Sequence, residues 1–159
     1  MASKKKKDLN NLKGEWTAAR ISITYNSGLL NKKSIVTHDD AYKLITSVWD
    51  KELINVQEQV MAFFLNGRNK LIGYRLISTG TSNKSLVDVK LLVSLALHTM
   101  ASAVILAHNH PSGNMTASKS DEVVTEKVKD ALNLIDIKLL DHFIICEEGY
   151  YSFSELGEL

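Results

Sequence analysis

The sequence predicts a single α/β domain in which helices pack on a mixed β-sheet. Helix-like and strand-like segments alternate along the chain, which is typical of this fold class. Residues 56–65 and 70–79 read as strands on either side of residues 66–69, where Asn-Gly favours a tight antiparallel hairpin. Residues 103–107 form a continuous apolar run, as in a central strand that is buried on both faces. With 159 residues and 45% hydrophobic content, the chain is large enough for one core.

Composition excludes several protein classes. The chain has one proline and one cysteine, so it is neither a proline-rich linker nor a disulfide scaffold, and it has no multi-cysteine zinc site. Cys146 is expected to be a small buried hydrophobic residue. Nineteen basic residues against 18 acidic ones leave a net charge of +1, which gives no global reason to expect nucleic-acid or membrane binding.

Residues 1–18 are expected to form a flexible basic segment, and residues 19–159 the single domain. Lysines 4–7 are followed by polar residues, so the start of the chain is not a secretory signal. These lysines read as a solvated terminus that offers at most a weak phosphate contact. No stretch is long and apolar enough for a membrane span, so a cytoplasmic protein is expected.

The first half of the domain contains an edge strand, a helix and the hairpin. Residues 19–25 alternate between polar and β-branched side chains, the pattern of a half-buried edge strand. Residues 37–40 offer capping side chains ahead of residues 41–49, whose apolar positions recur at helical spacing. The hairpin described above follows this helix.

The second half contains two more helices and two more strands. Residues 88–100 predict a helix that is buried on most sides, within which His98 is structural. Residues 109–117 form a loop. Strands are expected over 137–146 and 150–153, followed by a short helical start at 154–156. A second amphipathic helix begins at Ser118 and is expected to turn inward Val123, Val124, Val128, Ala131, Leu132 and Ile135.

The stretch from His108 to Asp121 carries the chemistry. His108 and His110 are two positions apart on an extended backbone, so their side chains point the same way and can reach one ion. Asp121 returns in the first turn of the following helix and adds a carboxylate oxygen. Two histidines and one acid leave a fourth tetrahedral position for water, which is the arrangement of a catalytic zinc site.

Structural explanations exist for each part of this pattern. Ser118 and Asp121 have the spacing of a helix capping box, and His108 and His110 alone read as core or loop histidines. The four positions together are much harder to attribute to chance, so the metal site is the preferred interpretation.

The stretch Ala-Val-Ile-Leu-Ala-His-Asn-His-Pro-Ser-Gly at 103–113, with Ser118 and Asp121, resembles the JAMM signature of the JAB/MPN metallohydrolases, and the RadC branch in particular. The resemblance covers roughly residues 55–159. It implies an α-β-α sandwich around a mixed, largely antiparallel sheet, with a layout similar to cytidine deaminases. It also implies that His108, His110 and Asp121 bind Zn²⁺.

The same resemblance implies a zinc-dependent metallopeptidase that cleaves a peptide or isopeptide bond of a protein or peptide substrate. Glu58 would be the general base that takes a proton from the attacking water, and Ser118 would donate to the oxyanion. The chain departs from the family in two ways. It is too short for the helix-hairpin-helix region of full-length RadC proteins, and residues 114–117 lack the prolines common in the family loop.

Two other functions stay open. RadC proteins are associated with DNA repair and recombination, so an accessory role with lysines 4–7 on DNA is the alternative, and a metal-bearing scaffold without turnover is the third. Met115 is expected to fill a gap against the helix, with contact to the substrate as the alternative. Asp141 and His142 face opposite sides of one strand, so they are expected to have a structural role or to contact the residues that bind the metal. Asn109 and Ser112 form turns or shape the site. Substrate specificity is expected in the loops at 78–87 and 112–117.

Overall fold

The computed structural model describes residues 34–80 and 87–159, which form three helices and five strands. The expected basic segment 1–18 and edge strand 19–25 lie outside the described residues, as does most of the loop at 78–87. Within the two described ranges, no helix has the length and apolar character needed to cross a bilayer. In chain order the elements are α1 (His38–Val48), β1 (Gln59–Leu65), β2 (Leu71–Thr79), α2 (Val89–His98), β3 (Ala103–Asn109), α3 (Lys119–Asn133), β4 (Lys138–Cys146) and β5 (Gly149–Ser152).

The five strands form one mixed sheet in the order β2-β1-β3-β4-β5. Every neighbouring pair is antiparallel except β3 and β4, which run parallel. The central strand β3 and its neighbour β1 are buried along their whole length, as the apolar run at 103–107 predicts. The predicted mixed, largely antiparallel sheet is confirmed.

Helices cover both faces of the sheet, which confirms the α-β-α sandwich. On one face, here called the α1 face, Ile45 of α1 and Trp49 just after the helix pack with Phe63 of β1 in a buried cluster. On the other, the α2/α3 face, Leu92 of α2 and Leu132 of α3 belong to a second buried cluster. Successive residues of β3 therefore point alternately toward the α1 face and the α2/α3 face.

The hairpin between β1 and β2 is confirmed, but its turn differs from the prediction. The left-handed residue is Asn69, with a φ of 53°, and not the Asn-Gly pair at its start. The Asn66 side chain accepts hydrogen bonds from the backbone N–H groups of Arg68 (2.9 Å) and Lys70 (3.1 Å). These bonds favour a four-residue connection that closes at Asn69, because asparagine tolerates a positive φ better than most residues.

Three predicted details of the helices are wrong. Helix α2 is an outer layer that buries only Leu92 and Ala96, so it is not enclosed on most sides. Val123 is 61% exposed, whereas Thr125 is buried on the inner side of α3. Asp121 faces inward. Thr125, four positions later, lies on the same side of the helix, whereas Val123, two positions later, does not. Residues 154–156 form a turn and not the start of a helix.

Candidate metal centre

The candidate site lies where β3 ends and α3 begins. Because β3 is the central strand, its last residues remain deep in the protein, and His108 is only 3% exposed. The loop after Asn109 returns the chain to Ser118, which caps α3, and Asp121 lies in the first turn of that helix. The side chains of His110 and Asp121 are 16% and 13% exposed, so one side of the site is open to solvent.

The side chains of His108, His110 and Asp121 form a triangle at this point. Nε2 of His108 lies 3.0 Å from Nε2 of His110 and 3.4 Å from Oδ1 of Asp121, and Nε2 of His110 lies 3.6 Å from Oδ2 of Asp121. Two ligands of a tetrahedral zinc ion, each about 2.1 Å from the metal, are roughly 3.4 Å apart. The separations and the donor types therefore fit a zinc ion, and the sequence-predicted ligands are brought together.

The loop after β3 orients the His110 ring. Nδ1 of His110 is 2.8 Å from the carbonyl oxygen of Asn114. A carbonyl only accepts, so Nδ1 donates and the neutral ring keeps its lone pair on Nε2. Gly113, with a φ of 76°, makes the turn that brings Asn114 back, and its N–H donates to the His110 carbonyl at 3.0 Å. The loop thus directs Nε2 of His110 into the triangle.

The His108 ring is held from behind by buried side chains. Its Nδ1 is 2.8 Å from Nε2 of His142 on β4, and Nδ1 of His142 is 2.6 Å from the hydroxyl of Thr125 on α3. Phe153 stacks on the His142 ring with centroids 5.0 Å apart and planes 7° from parallel. His108 therefore presents Nε2, and not Nδ1, to the other two donors.

Ser118 and Asp121 form the predicted capping box as well as part of the site. The Asp121 carboxylate accepts from the backbone N–H of Ser118 at 2.7 Å and from its hydroxyl at 2.6 Å, both at Oδ2. In return the Ser118 oxygen accepts from the Asp121 N–H at 3.3 Å. The capping role of Asp121 is compatible with binding a metal ion, because the carboxylate has two oxygens with several lone pairs.

Burial and charge set different protonation states for the three side chains of the site. Burial lowers the pKa of His108 to about 4, so this ring is neutral at pH 7. The Asp121 carboxylate raises the pKa of His110 above the ordinary 6.5. Burial acts to raise the pKa of Asp121, but its hydrogen bonds with His110 and Ser118 outweigh it and hold that pKa well below the ordinary value. At pH 7 a charged carboxylate thus faces one neutral imidazole and one that retains its proton more tightly than usual.

Glu58 lies beside the triangle. It directly precedes β1, and the pairing of Val60 with His108 in the antiparallel register places Glu58 level with His110. Residues 58 and 60 point the same way along an extended chain, toward the α2/α3 face. The half-buried Glu58 is near enough for its charge to contribute to the raised pKa of His110.

Asn109 fastens the segment that carries Glu58. Its side chain is completely buried and points away from its histidine neighbours, toward the α1 face. Its Oδ1 accepts from the Gln59 N–H at 2.7 Å, and its Nδ2 donates to the carbonyls of Ile54 (2.7 Å) and Gln57 (2.9 Å). The end of β3 thus supplies two candidate ligands on one face and, on the other, the anchor for Glu58.

The other polar residues that the sequence analysis considers lie outside the triangle. Asp141 and His142 point to opposite faces, and the Asp141 carboxylate accepts from the backbone N–H of His142 (2.7 Å) and from the Ser152 hydroxyl (2.6 Å). His98 is exposed on α2, away from the triangle. Cys146 is buried beneath the loop after β3.

Met115 lies beside Gly149 at the start of β5, whereas the sequence analysis expects it against the helix. A Cβ added to Gly149 would come within 3.3 Å of the Met115 sulfur. The Met115 side chain is also 39% exposed. It therefore covers the glycine with one side and faces solvent with the other.

The sequence analysis missed the role of Thr125, and it did not identify the residues to which Asn109 is hydrogen-bonded. Thr125 follows Asp121 by four positions, so helical spacing alone places it on the same side of α3. Asn109 lies between two histidines on an extended strand, so it must point away from them and find partners elsewhere. Both signals were present in the sequence, but the partners belong to distant segments.

Comparison with known proteins comes from a family model and from curated relatives. The model for the RadC-like JAB domain matches residues 35–158. A UPF0758 protein of Flavobacterium johnsoniae is 39% identical over 129 residues, which cover 81% of this chain and 55% of that protein. UPF0758 protein YeeS of Escherichia coli is 42% identical over 103 residues, covering 65% of this chain and 70% of the relative.

A UPF0758 protein of Thermotoga maritima is 36% identical over 110 residues, which cover 69% of this chain and 50% of that protein. This chain therefore spans only about half of the Flavobacterium and Thermotoga relatives. The family-model match covers the whole segment from α1 to the final turn, including every residue of the triangle.

Proposed function

The chain belongs to the RadC-like JAB domain family, and we propose that it is a zinc-dependent hydrolase that cleaves a peptide or isopeptide bond with water. The observation that carries this proposal is the convergence of His108, His110 and Asp121, whose donor atoms all lie within 4.8 Å of one another. Two imidazoles and one carboxylate are the ligand set of catalytic zinc sites that keep one position for water.

In this proposal His108, His110 and Asp121 hold the zinc ion. Zinc in such a site lowers the pKa of a bound water toward 7 and polarises a carbonyl oxygen. The chain contributes the preformed ligands, whose second ring nitrogens and second carboxylate oxygen are already hydrogen-bonded. Ligands that are held before the metal arrives lose little conformational entropy on binding it.

Glu58 acts as the general base. It accepts a proton from the attacking water and later returns that proton to the leaving nitrogen, so the carboxylate is regenerated after each cycle. Its position level with His110 puts it beside the ligands but outside the triangle that they form. The Asn109 side chain fixes the backbone on both sides of Glu58, through the Gln57 carbonyl and the Gln59 N–H.

Ser118 donates a hydrogen bond to the oxyanion that forms when the carbonyl is attacked. The hydroxyl now donates to Oδ2 of Asp121, so it has to rotate toward the substrate to play this part. The backbone N–H of Ser118 keeps its own bond to Oδ2 at 2.7 Å, which preserves the helix cap while the hydroxyl turns. One such oxyanion contact is worth about 3 kcal/mol of barrier.

The proposal is tested by zinc analysis and by screening peptide and isopeptide libraries. Purified wild-type protein should contain or take up one zinc per chain and hydrolyse members of the library. Glu58→Gln should retain zinc but lose hydrolysis by about 10²- to 10⁴-fold, because only the proton transfer is removed.

The matched control is Glu126→Gln, which neutralises an exposed glutamate on α3. This variant should bind zinc and hydrolyse substrate like the wild type. Failure of the wild-type protein to bind zinc would refute the enzyme proposal, and full activity of Glu58→Gln would remove Glu58 as the base. Zinc binding without turnover on any library member would favour the scaffold alternative.

A further inference from the structure

We propose that His142 and Thr125 are positioning residues that hold the His108 ring in the tautomer with its lone pair on Nε2. This inference rests on the zinc site proposed above and goes beyond it, because neither residue touches the metal or the substrate. The two residues form a chain of hydrogen bonds that begins and ends at candidate ligands.

The direction of each hydrogen bond follows from the first one. The Thr125 hydroxyl lies 2.6 Å from the backbone carbonyl of Asp121, which only accepts, so the hydroxyl proton is committed there. The Thr125 oxygen must then accept from Nδ1–H of His142, at 2.6 Å. A neutral His142 carries one ring proton, which is on Nδ1, so its Nε2 has a lone pair. This Nε2 accepts a hydrogen bond from Nδ1–H of His108 at 2.8 Å.

Burial keeps His142 in place and uncharged. The residue is 1% exposed, and both of its ring nitrogens are occupied by His108 and Thr125. A charged imidazolium in such a place would lack the water that stabilises it. Phe153 covers one face of the ring, so the ring cannot turn over without displacing a core side chain.

The chain of bonds joins two ligands that lie on different elements. It runs from the Asp121 carbonyl on α3 through Thr125 and across to His142 on β4, and ends at His108 on β3. The parallel register of β3 and β4, which pairs Leu106 with His142, makes the last contact. The helix that supplies the carboxylate ligand therefore also controls the proton on the imidazole ligand.

Without the Thr125 oxygen, His142 is free to carry its proton on either nitrogen. When that proton is on Nε2, His108 loses its acceptor and places its own proton on Nε2, the atom that must bind zinc. Zinc binding would then require that proton to move first, which lowers the zinc affinity. Changes to groups that orient metal ligands in this way typically weaken metal affinity by about 10- to 100-fold.

The test compares Thr125→Val with Thr125→Ser. Valine keeps the shape of threonine but removes the oxygen, whereas serine keeps the oxygen. Zinc affinity, measured by competition with a chelator of known affinity, should fall about 10- to 100-fold in Thr125→Val and stay near the wild-type value in Thr125→Ser.

Thr99→Val is the matched control for losing a helical hydroxyl. The Thr99 hydroxyl also donates to the carbonyl four residues earlier, Leu95, at 2.8 Å, but it lies at the end of α2. Its loss should leave zinc affinity unchanged.

A second measurement reads the tautomer directly in metal-free protein. The ¹⁵N NMR signals of His108 should show Nδ1–H and an unprotonated Nε2 in the wild type, and a mixture of both tautomers in Thr125→Val. Unchanged zinc affinity together with an unchanged His108 tautomer in Thr125→Val would overturn the inference. A wild type that binds no zinc would refute the proposed function instead, while the NMR comparison would still decide whether Thr125 sets the His108 tautomer.

Discussion

Helices α1 and α3 begin with the same local structure in different surroundings. Thr37 caps α1 and Asp40 returns a hydrogen bond to the cap, just as Ser118 and Asp121 do for α3. Each acid is thus the third residue of its helix and holds the start of that helix together. The difference is what the rest of the fold places beside it.

Only one of these two acids belongs to the candidate metal triangle. The end of β3 brings His108 and His110 within 3.4 and 3.6 Å of Asp121. At the start of α1, by contrast, His38 points its Nε2 to within 3.8 Å of Asp141, on the strand below. A serine or threonine followed three residues later by an acid therefore predicts a helix start, and the chemistry comes from the neighbouring strand.

The largest expected effect separates the two acids. Asp121→Ala and Asp40→Ala should each destabilise the fold by about 1 kcal/mol, because each removes half of a capping box. Asp121→Ala should also weaken zinc binding by more than the roughly 100-fold that indirect changes cost, since it removes a ligand. Zinc titrations and urea unfolding of both variants measure these effects.

Asp40→Ala should bind zinc with wild-type affinity. Equal zinc affinities in the two variants would show that Asp121 is only a capping residue. The difference between the two helix starts would then have no chemical meaning.

The grouping of the candidate ligands was predictable from the sequence because their geometry is local. His108 in β3 and His110 just after it lie on the same side of an extended backbone, and Asp121 follows at the start of the next helix, so no distant segment is needed to bring them together. The same holds for α1 and for the hairpin, which depend on spacing, capping and turn residues within a few positions.

The support around the ligands was harder to predict because it depends on long-range pairing. His142 reaches His108 only because β4 lies parallel to β3 in a particular register. Asn109 finds its partners about 50 residues earlier in the chain. Thr125 is buried and Val123 is exposed because of the rotation of α3 about its own axis relative to the sheet. The spacing of the valines in the sequence did not predict this rotation.

The second prediction uses pH to sharpen the contrast between the helix starts. The Asp121 carboxylate raises the pKa of His110 above 6.5, whereas burial lowers that of His108 to about 4. Below its raised pKa, His110 holds a proton that zinc must displace, while His108 holds none above pH 4. Zinc affinity should therefore fall about tenfold for each unit that the pH drops below the pKa of His110.

Calorimetry or chelator competition over a pH series measures this slope. Asp40→Ala should give the same slope as the wild type, because the start of α1 contributes no group to the triangle. A hundredfold fall per pH unit would mean that two protons are displaced, and would contradict the neutral, buried state of His108.

The smallest expected effect concerns the two capping residues themselves. Ser118→Ala and Thr37→Ala each remove the oxygen that accepts the N–H of the third helical residue, so each should lower the free energy of unfolding by about 1 kcal/mol. Zinc should bind to both variants, because neither residue is a proposed ligand. Only Ser118→Ala should slow hydrolysis, by about 10²-fold or more, if its hydroxyl donates to the oxyanion. Similar hydrolysis rates in both variants would mean that Ser118, like Thr37, does no more than begin its helix, and the oxyanion would need another donor.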